Sequence, residues 1–303
     1  MIEFNNVSKV YKTILGRPVK AVEDFSLRIN AGEVFGIAGP NGAGKSTLVA
    51  MMLGFLKPTS GSVTVGGQSP RQYVERNGIG YLSELIAIPP RWRAAKALER
   101  FAVLAGVEEP ELPGAVDAAV DLVGIGEHRE KRIKALSKGN LQRVGIAQAL
   151  AQDADVFILD EPTHGLDPVW TQRFRDIVAA LRRPNRAIVI SSHNLDELER
   201  LADRVAIIDH GQLRRTVEMR GTARESGGLT YQVTVVKGRE KFAEAFPRAT
   251  SIRDGEFEIV AADLDSLNDE LGRLMVDGVV FGRIAPCHSA LEQQFREAVG
   301  ETQ

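Results

Sequence analysis

The chain has 303 residues, 44% of them hydrophobic, enough for one large domain or two of ordinary size. A formal net charge of -2 argues against a nucleic-acid coat or an acidic solvating tail. The single cysteine, Cys287, excludes an internal disulfide and any cysteine-based zinc site. No apolar run approaches the ~20 residues that span a bilayer. The opening MIEFNNVSKVYK has neither the basic leader nor the apolar stretch of a secretion signal, so a cytoplasmic protein is expected.

Short apolar strands alternate with helical patterns over the first two thirds, which predicts an α/β fold with a parallel sheet covered by helices. Strands are predicted at Val34 to Ala38, Val156 to Leu159, Ala187 to Ile190 and Val205 to Ile208. The runs VFIL and AIVI read as strands buried on both faces. TLVAMMLGFL, after the first strand, reads as a helix. Between Arg91 and Leu150 the stretches AAKALERFAVLAG, AVDAAVDLVGIG and LQRVGIAQALAQ are all helix-like, predicting a helical subdomain over about 86–150. A composition break at TARESGGL divides the chain into 1–220 and 221–303. Beyond it the order is β-α-β-β-α-β, with a tight turn at Asp254-Gly255 and a leucine-spaced helix over Leu264, Leu267, Leu271 and Leu274. That order is the split-βαβ, ferredoxin-like α+β motif. SALEQQFREAV closes the chain as a helix.

The strongest chemical signal is GPNGAGKST: Gly39, Pro40, Asn41, Gly42, Ala43, Gly44, Lys45, Ser46 and Thr47. It lies between a strand and a helix, the context of a phosphate loop, where backbone N–H groups and a helix N-terminus face phosphates. Lys45 is placed to reach the β- and γ-phosphates and Ser46 to ligate Mg²⁺. A phosphate loop needs a second metal-holding acid at the end of another strand. DVFILDEPT supplies Asp160, and Glu161 follows it, poised to polarise a water for attack on the γ-phosphate.

GPNGAGKST, a helical insert, LSKGN, VFILDE, GLD and a lone histidine after a strand together resemble an ATP-binding cassette (ABC) transporter ATPase, a P-loop NTPase. The resemblance covers Met1 to about Leu213. It implies ATP and Mg²⁺ as ligands, and two cassettes packed head to tail with each ATP between one phosphate loop and the other subunit's signature motif. LSKGN matches that signature, with Ser137 and Gly139 in the γ-phosphate positions. Lys138 and Asn140 replace glycine and glutamine, and Lys138 either adds attraction for phosphate or faces solvent. Tyr11 matches the aromatic residue stacked on adenine, His193 the switch histidine on the γ-phosphate, and Asp167 the acid that meets the opposite phosphate loop. Glu84 stands where many cassettes carry a glutamine near Mg²⁺. His164 replaces the usual serine before GLD, with no role implied. His128, His210 and His288 match nothing and are expected at the surface.

Chromosome-maintenance and DNA-repair relatives carry long coiled coils in the insert, and translation-factor relatives carry two cassettes. Neither pattern is present. The resemblance therefore implies a transporter's energy subunit on the cytoplasmic face of the membrane. Its partners would be a separately encoded permease and a second copy of itself or a paralogous cassette, with no nucleic acid. IGYLSE, LSKGN and the ending HSALEQQFREAVGE resemble the bacterial type-two exporter group. An importer ATPase with a regulatory C-terminal domain, or a non-transport ABC ATPase, is the alternative. LIAIPPRW is expected to expose apolar residues, Ile88 and Trp92 among them, to the permease.

Overall fold

A computed structural model describes residues 1–12, 18–219, 229–261, 264–286 and 290–300. The chain forms two compact units, Met1–Glu218 together with residues from Phe295 onward, and Met219–Gln294.

The first unit is built on two sheets. Three strands, β1 (Ile2–Lys12), β2 (Pro18–Ile29) and β4 (Ser60–Val65), pair antiparallel in the order β2-β1-β4. The larger sheet combines β3 (Val34–Ala38), β5 (Gly80–Leu82), β6 (Val156–Asp160), β7 (Ala187–Ser192), β8 (Arg204–Asp209) and β9 (Gln212–Glu218). Its order is β5-β6-β7-β3-β8-β9, parallel except for the β8–β9 pair. Every residue of β3, β6 and β7 is buried, as expected for parallel strands covered on both faces.

Helix α1 (Lys45–Met52) buries Leu48, Met51 and Met52 in one core with Phe4 and Phe25 of the small sheet and Phe35 and Ile158 of the large one. It stops at Met52: Gly54 follows with φ of +72°, so the apolar GFL that continues the pattern is not helical. Helices α2 (Pro70–Asn77), α3 (Ala94–Leu104), α4 (Leu112–Leu122) and α5 (Lys138–Leu150) follow, the last three forming the inserted helical stretch. Helix α6 (Pro168–Leu181) comes between β6 and β7, and α7 (Leu195–Leu201) between β7 and β8. Among the described residues no helix is long and apolar enough to cross a membrane.

The second unit runs β10 (Leu229–Lys237), α8 (Arg239–Ala245), β11 (Thr250–Arg253), β12 (Glu256–Ala261), α9 (Leu264–Val276) and β13 (Val280–Pro286). Its sheet order is β11-β12-β10-β13 with every pair antiparallel, the ferredoxin-like arrangement that the sequence pattern predicts. Val233, Val235 and Ile259 point to the same side as Leu267, Leu271 and Leu274 of α9, and Phe242 of α8 fills the middle. The last helix, α10, is Ala290–Val299.

Candidate functional site

The carboxyl ends of β3, β6 and β7 open on one cavity of about 430 Å³. It is the usual position for a ligand in a parallel sheet, outside the strand ends. Pro40, Asn41, Gly42, Gly44, Lys45, Ser46 and Thr47 form one wall, and Asp160, Glu161, His164, His193 and Glu84 the other.

The phosphate loop has its shape because of its glycines. Gly44 caps α1 with φ of +106°, and a Cβ there would stand 2.7 Å from the Ala21 carbonyl oxygen. A Cβ on Gly39 would lie 2.6 Å from the Ile208 carbonyl. Larger residues would push the loop off its neighbours and close the space a phosphate needs. Lys45, the first residue of α1, is buried, and its ammonium donates to the carbonyls of Gly39 and Pro40 at 2.5 and 3.2 Å. Burial lowers the Lys45 pKa, while Glu161, Asp160 and Glu84 oppose that shift. A cation stripped of water and turned on its own loop is preset to meet an anion.

On the facing wall, Asp160 ends β6 and is 6% exposed. Ser191 donates to its carboxylate from the neighbouring β7. Burial raises the Asp160 pKa, and the negative charges of Glu84 and Glu161 raise it further, while Ser191 and Lys45 pull it down. The cavity thus holds three carboxylates against one ammonium. That imbalance, with oxygen donors and the exposed Ser46 hydroxyl opposite, fits Mg²⁺, a hard cation. Among the described residues no group of three or more His, Cys, Asp or Glu is placed to hold a metal alone. Bound there, Mg²⁺ supplies Lewis acidity to the phosphoryl group.

Glu161 has φ of +47°, a left-handed backbone that costs a non-glycine residue of order 1–3 kcal/mol. Its neighbours hold it there. Glu161 N donates to Ser191 O at 2.9 Å, and Gln142 Nε2 of α5 donates to the carbonyls of Glu161 and Pro162 at 3.2 and 2.8 Å. Its side chain accepts from Ser192 Oγ at 3.1 Å, and from His193 through both the backbone N–H and ring Nδ1, at 2.9 and 2.8 Å. The strained turn aims the carboxylate into the cavity instead of along the strand. The acceptor-only carboxylate places the ring hydrogen of His193 on Nδ1.

The signature residues lie outside this cavity. Ser137 is the N-cap of α5 and its oxygen accepts from Asn140 N at 3.3 Å, leaving its O–H free to donate. Asn140 in turn holds Arg143 at 2.8 Å, and Arg143 stacks on Trp170 with the guanidinium 3.7 Å from the ring centre. Asp167 caps α6 by accepting from Trp170 N at 2.9 Å. Tyr11 is exposed at the end of β1, with Lys9 Nζ 5.5 Å from its ring. Tyr11, Ser137, Lys138, Gly139 and Asp167 are thus separate from the phosphate wall within one chain.

Some placements differ from the sequence reading. Lys138 faces neither solvent alone nor the cavity: its Nζ is 2.7 Å from His164 Nε2. His164, given no role by the resemblance, lines the cavity. Ile88 is buried, and the large apolar side chain that its segment exposes is Leu85, at 82%. Trp92 is half-buried beneath Arg100, 4.4 Å from its ring centre. His128 is half-buried, its Nδ1 enclosed without a partner. His210 is exposed beside Asp209, and His288 lies outside the described residues. Ser191, Ser192 and Gln142 support the site without any local sequence signal beyond their place at the end of β7 or on α5.

A family model described as "ABC transporter" matches residues 22–164. The chain is 38% identical over 219 residues to the uncharacterized ABC transporter ATP-binding protein YhcH of Bacillus subtilis, covering 70% of this chain and 68% of that protein. The chain belongs to the ABC transporter family, as an ATP-binding subunit. This ABC ATPase is also 34% identical over 306 residues to the methionine import ATP-binding protein MetN of Bordetella pertussis, covering 97% of this chain and 82% of the relative. Its fold matches the dimeric structure of a post-hydrolysis state of the ATP-binding cassette MJ0796 bound to ADP and Pi. That match has a TM-score of 0.67 and 23% identity, covering 73% of this chain and all of that one. As a member of that family the chain binds ATP with Mg²⁺ and hydrolyses ATP.

Proposed function

We propose that this ATPase works as a pair on the cytoplasmic face of a membrane and powers export through a separately encoded permease. The observation that carries the coupling is an apolar surface next to the catalytic cavity. Glu84 lines the cavity, and the next residue, Leu85, projects into solvent. Phe55 is 73% exposed and meets Tyr81 of β5 edge-on, three residues before Glu84. Large apolar side chains left exposed in this way support a docking surface for another chain. A helix seated there would feel changes at Glu84 through one peptide unit.

In this reading Lys45 binds the β- and γ-phosphates, Ser46 and Asp160 hold Mg²⁺, Glu161 polarises the attacking water, and His193 meets the γ-phosphate through Nε2. Tyr11 stacks on adenine. Ser137, Lys138 and Gly139 serve the ATP of the opposite subunit, and Asp167 meets its phosphate loop. The pairing draws support from the dimeric structure of the MJ0796 cassette. Residues 221–303 would form an accessory domain. The likeness to MetN over 97% of this chain favours a second reading, import, in which that domain is regulatory.

Purification of the full chain from membranes tests the proposal. A multi-span permease and a second cassette should co-purify. Recovery only of ribosomes or DNA would overturn the transporter reading. Reconstitution with that permease separates the directions: ATP on the cassette side should drive cargo away from it in export and towards it in import.

A further inference from the structure

Two side chains that depart from the family pattern touch each other. Lys138, the first residue of α5, has its Nζ 2.7 Å from Nε2 of His164. The stem of Lys138 runs over Gly165, where an added Cβ would stand 3.0 to 3.2 Å from its Cγ, Cδ and Cε. Gly139 is equally close to that turn, a Cβ there falling 2.8 Å from the Gly165 carbonyl. His164 lines the phosphate cavity and Lys138 does not. One imidazole therefore has the cavity on one side and the signature turn on the other.

We propose that His164 and Lys138 form a positioning pair through which the phosphate cavity controls the signature turn of its own chain. The pair rests on the cavity being the γ-phosphate site. An ammonium offers three donors and no acceptor, so Nε2 carries no proton while the contact is made, and the ring hydrogen is on Nδ1. A phosphoryl group is rich in acceptors and negative. Beside the ring it favours the imidazolium, which takes its second proton from solvent. An imidazolium has no acceptor left for Lys138, and two cations then face each other. The contact breaks and Lys138 is released beside Ser137 and Gly139.

The groups around the ring determine the direction. Lys138 of α5 and Lys45 of the phosphate loop oppose a charge on the ring. His193, edge-on with ring centres 6.4 Å apart, opposes it when protonated. Glu84, Asp160 and Glu161 across the cavity favour the charge, and Mg²⁺ would offset them. The γ-phosphate is then the added group that tips the ring.

Nitrogen-15 spectra of the histidine rings in the full-length protein test the pair, with His164 assigned as the signal lost in His164→Gln. Without nucleotide, one ring nitrogen of His164 should be protonated and the other not, and Lys138→Met should shift the unprotonated one while Lys138→Arg restores it. Adding Mg²⁺ with β,γ-methylene-ATP should convert the signal to the doubly protonated form. At protein concentrations low enough to keep the chain monomeric, amide hydrogen exchange over 137–141 should then quicken about tenfold, the scale of one charge-assisted hydrogen bond. In Lys138→Met it should be fast with or without nucleotide. Binding of the analogue, followed separately by fluorescence, keeps two failures apart. Bound analogue with an unchanged ring and unchanged exchange would overturn the pair. Absent binding would overturn the phosphate reading, and the pair with it.

Discussion

Glu161 and His193 share one oxygen: Glu161 Oε1 receives both the backbone N–H and ring Nδ1 of the histidine, at 2.9 and 2.8 Å. The acid after β6 is thus bound to the residue after β7, and the histidine's Nε2 is left for a ligand. Glu161→Gln keeps an amide oxygen that accepts from His193, so the site should hold its shape. On the proposed reading, only the base is lost. Phosphate release should fall by about 10² or more, the usual contribution of a general base, while nucleotide affinity stays within a few-fold. Unchanged steady-state hydrolysis would remove Glu161 from the base role.

Asp160 illustrates a different cost. Its pKa is raised by burial first and by Glu84 and Glu161 next, so its ionised form weakens the folded state. The penalty is full above the raised pKa and disappears as pH falls below the unfolded value. Asp160→Asn should therefore raise the melting temperature by a few degrees at neutral pH without Mg²⁺ or nucleotide, and the gain should shrink at acid pH. Added Mg²⁺ and ATP should stabilise wild type and not the variant, by linkage. A variant less stable than wild type at neutral pH would show that the acid is well compensated in the free protein.

The parts of this fold that are plain in the sequence are those whose local pattern has a single physical solution. VFGIA, VFILD and AIVISS are short apolar runs that suit strands covered on both faces, and they lead into GPNGAGKST, DE and SH. The sheet formed by β1, β2 and β4 is hidden because its alternation is broken. β1 changes register between Phe4 and Val7, Val7 and Lys9, and Lys9 and Val10, and Asn6 and Asp24 adopt positive φ. The exposure of LIAIPP depends on a partner elsewhere: Ile86 lies over Gly145 of α5, where a Cβ would be 2.5 Å from it. No local pattern distinguishes Ile86 or Ile88 from Leu85. The Lys138–His164 contact joins positions 26 apart, each of which is bland alone.

A chain ending near Arg220 should stay folded and bind ATP, because the proposed phosphate site and both sheets of the first unit lie before that point. It also loses the residues from Phe295 onward that group with the first unit, where Arg215 pairs with Glu297 at 3.2 Å. That pair is exposed and worth little, so a modest fall in melting temperature is expected. Insolubility of the fragment where the whole chain is soluble would mean that the two parts need each other to fold.

Leu85 separates coupling from chemistry. It is 82% exposed, so Leu85→Asp removes almost no packing and should leave the melting temperature and the basal hydrolysis of the isolated subunit within experimental scatter. With the permease present the substitution puts a charge where an apolar surface must be covered, and burying an unpaired carboxylate is costly. Permease-stimulated hydrolysis and transport in vesicles should both drop towards background. Ile88→Asp is the contrast: Ile88 is 7% exposed, so the same change should destabilise the cassette itself. Full transport by Leu85→Asp would place the permease contact elsewhere, and loss of basal hydrolysis in that variant would show that Leu85 acts on Glu84 from within the subunit.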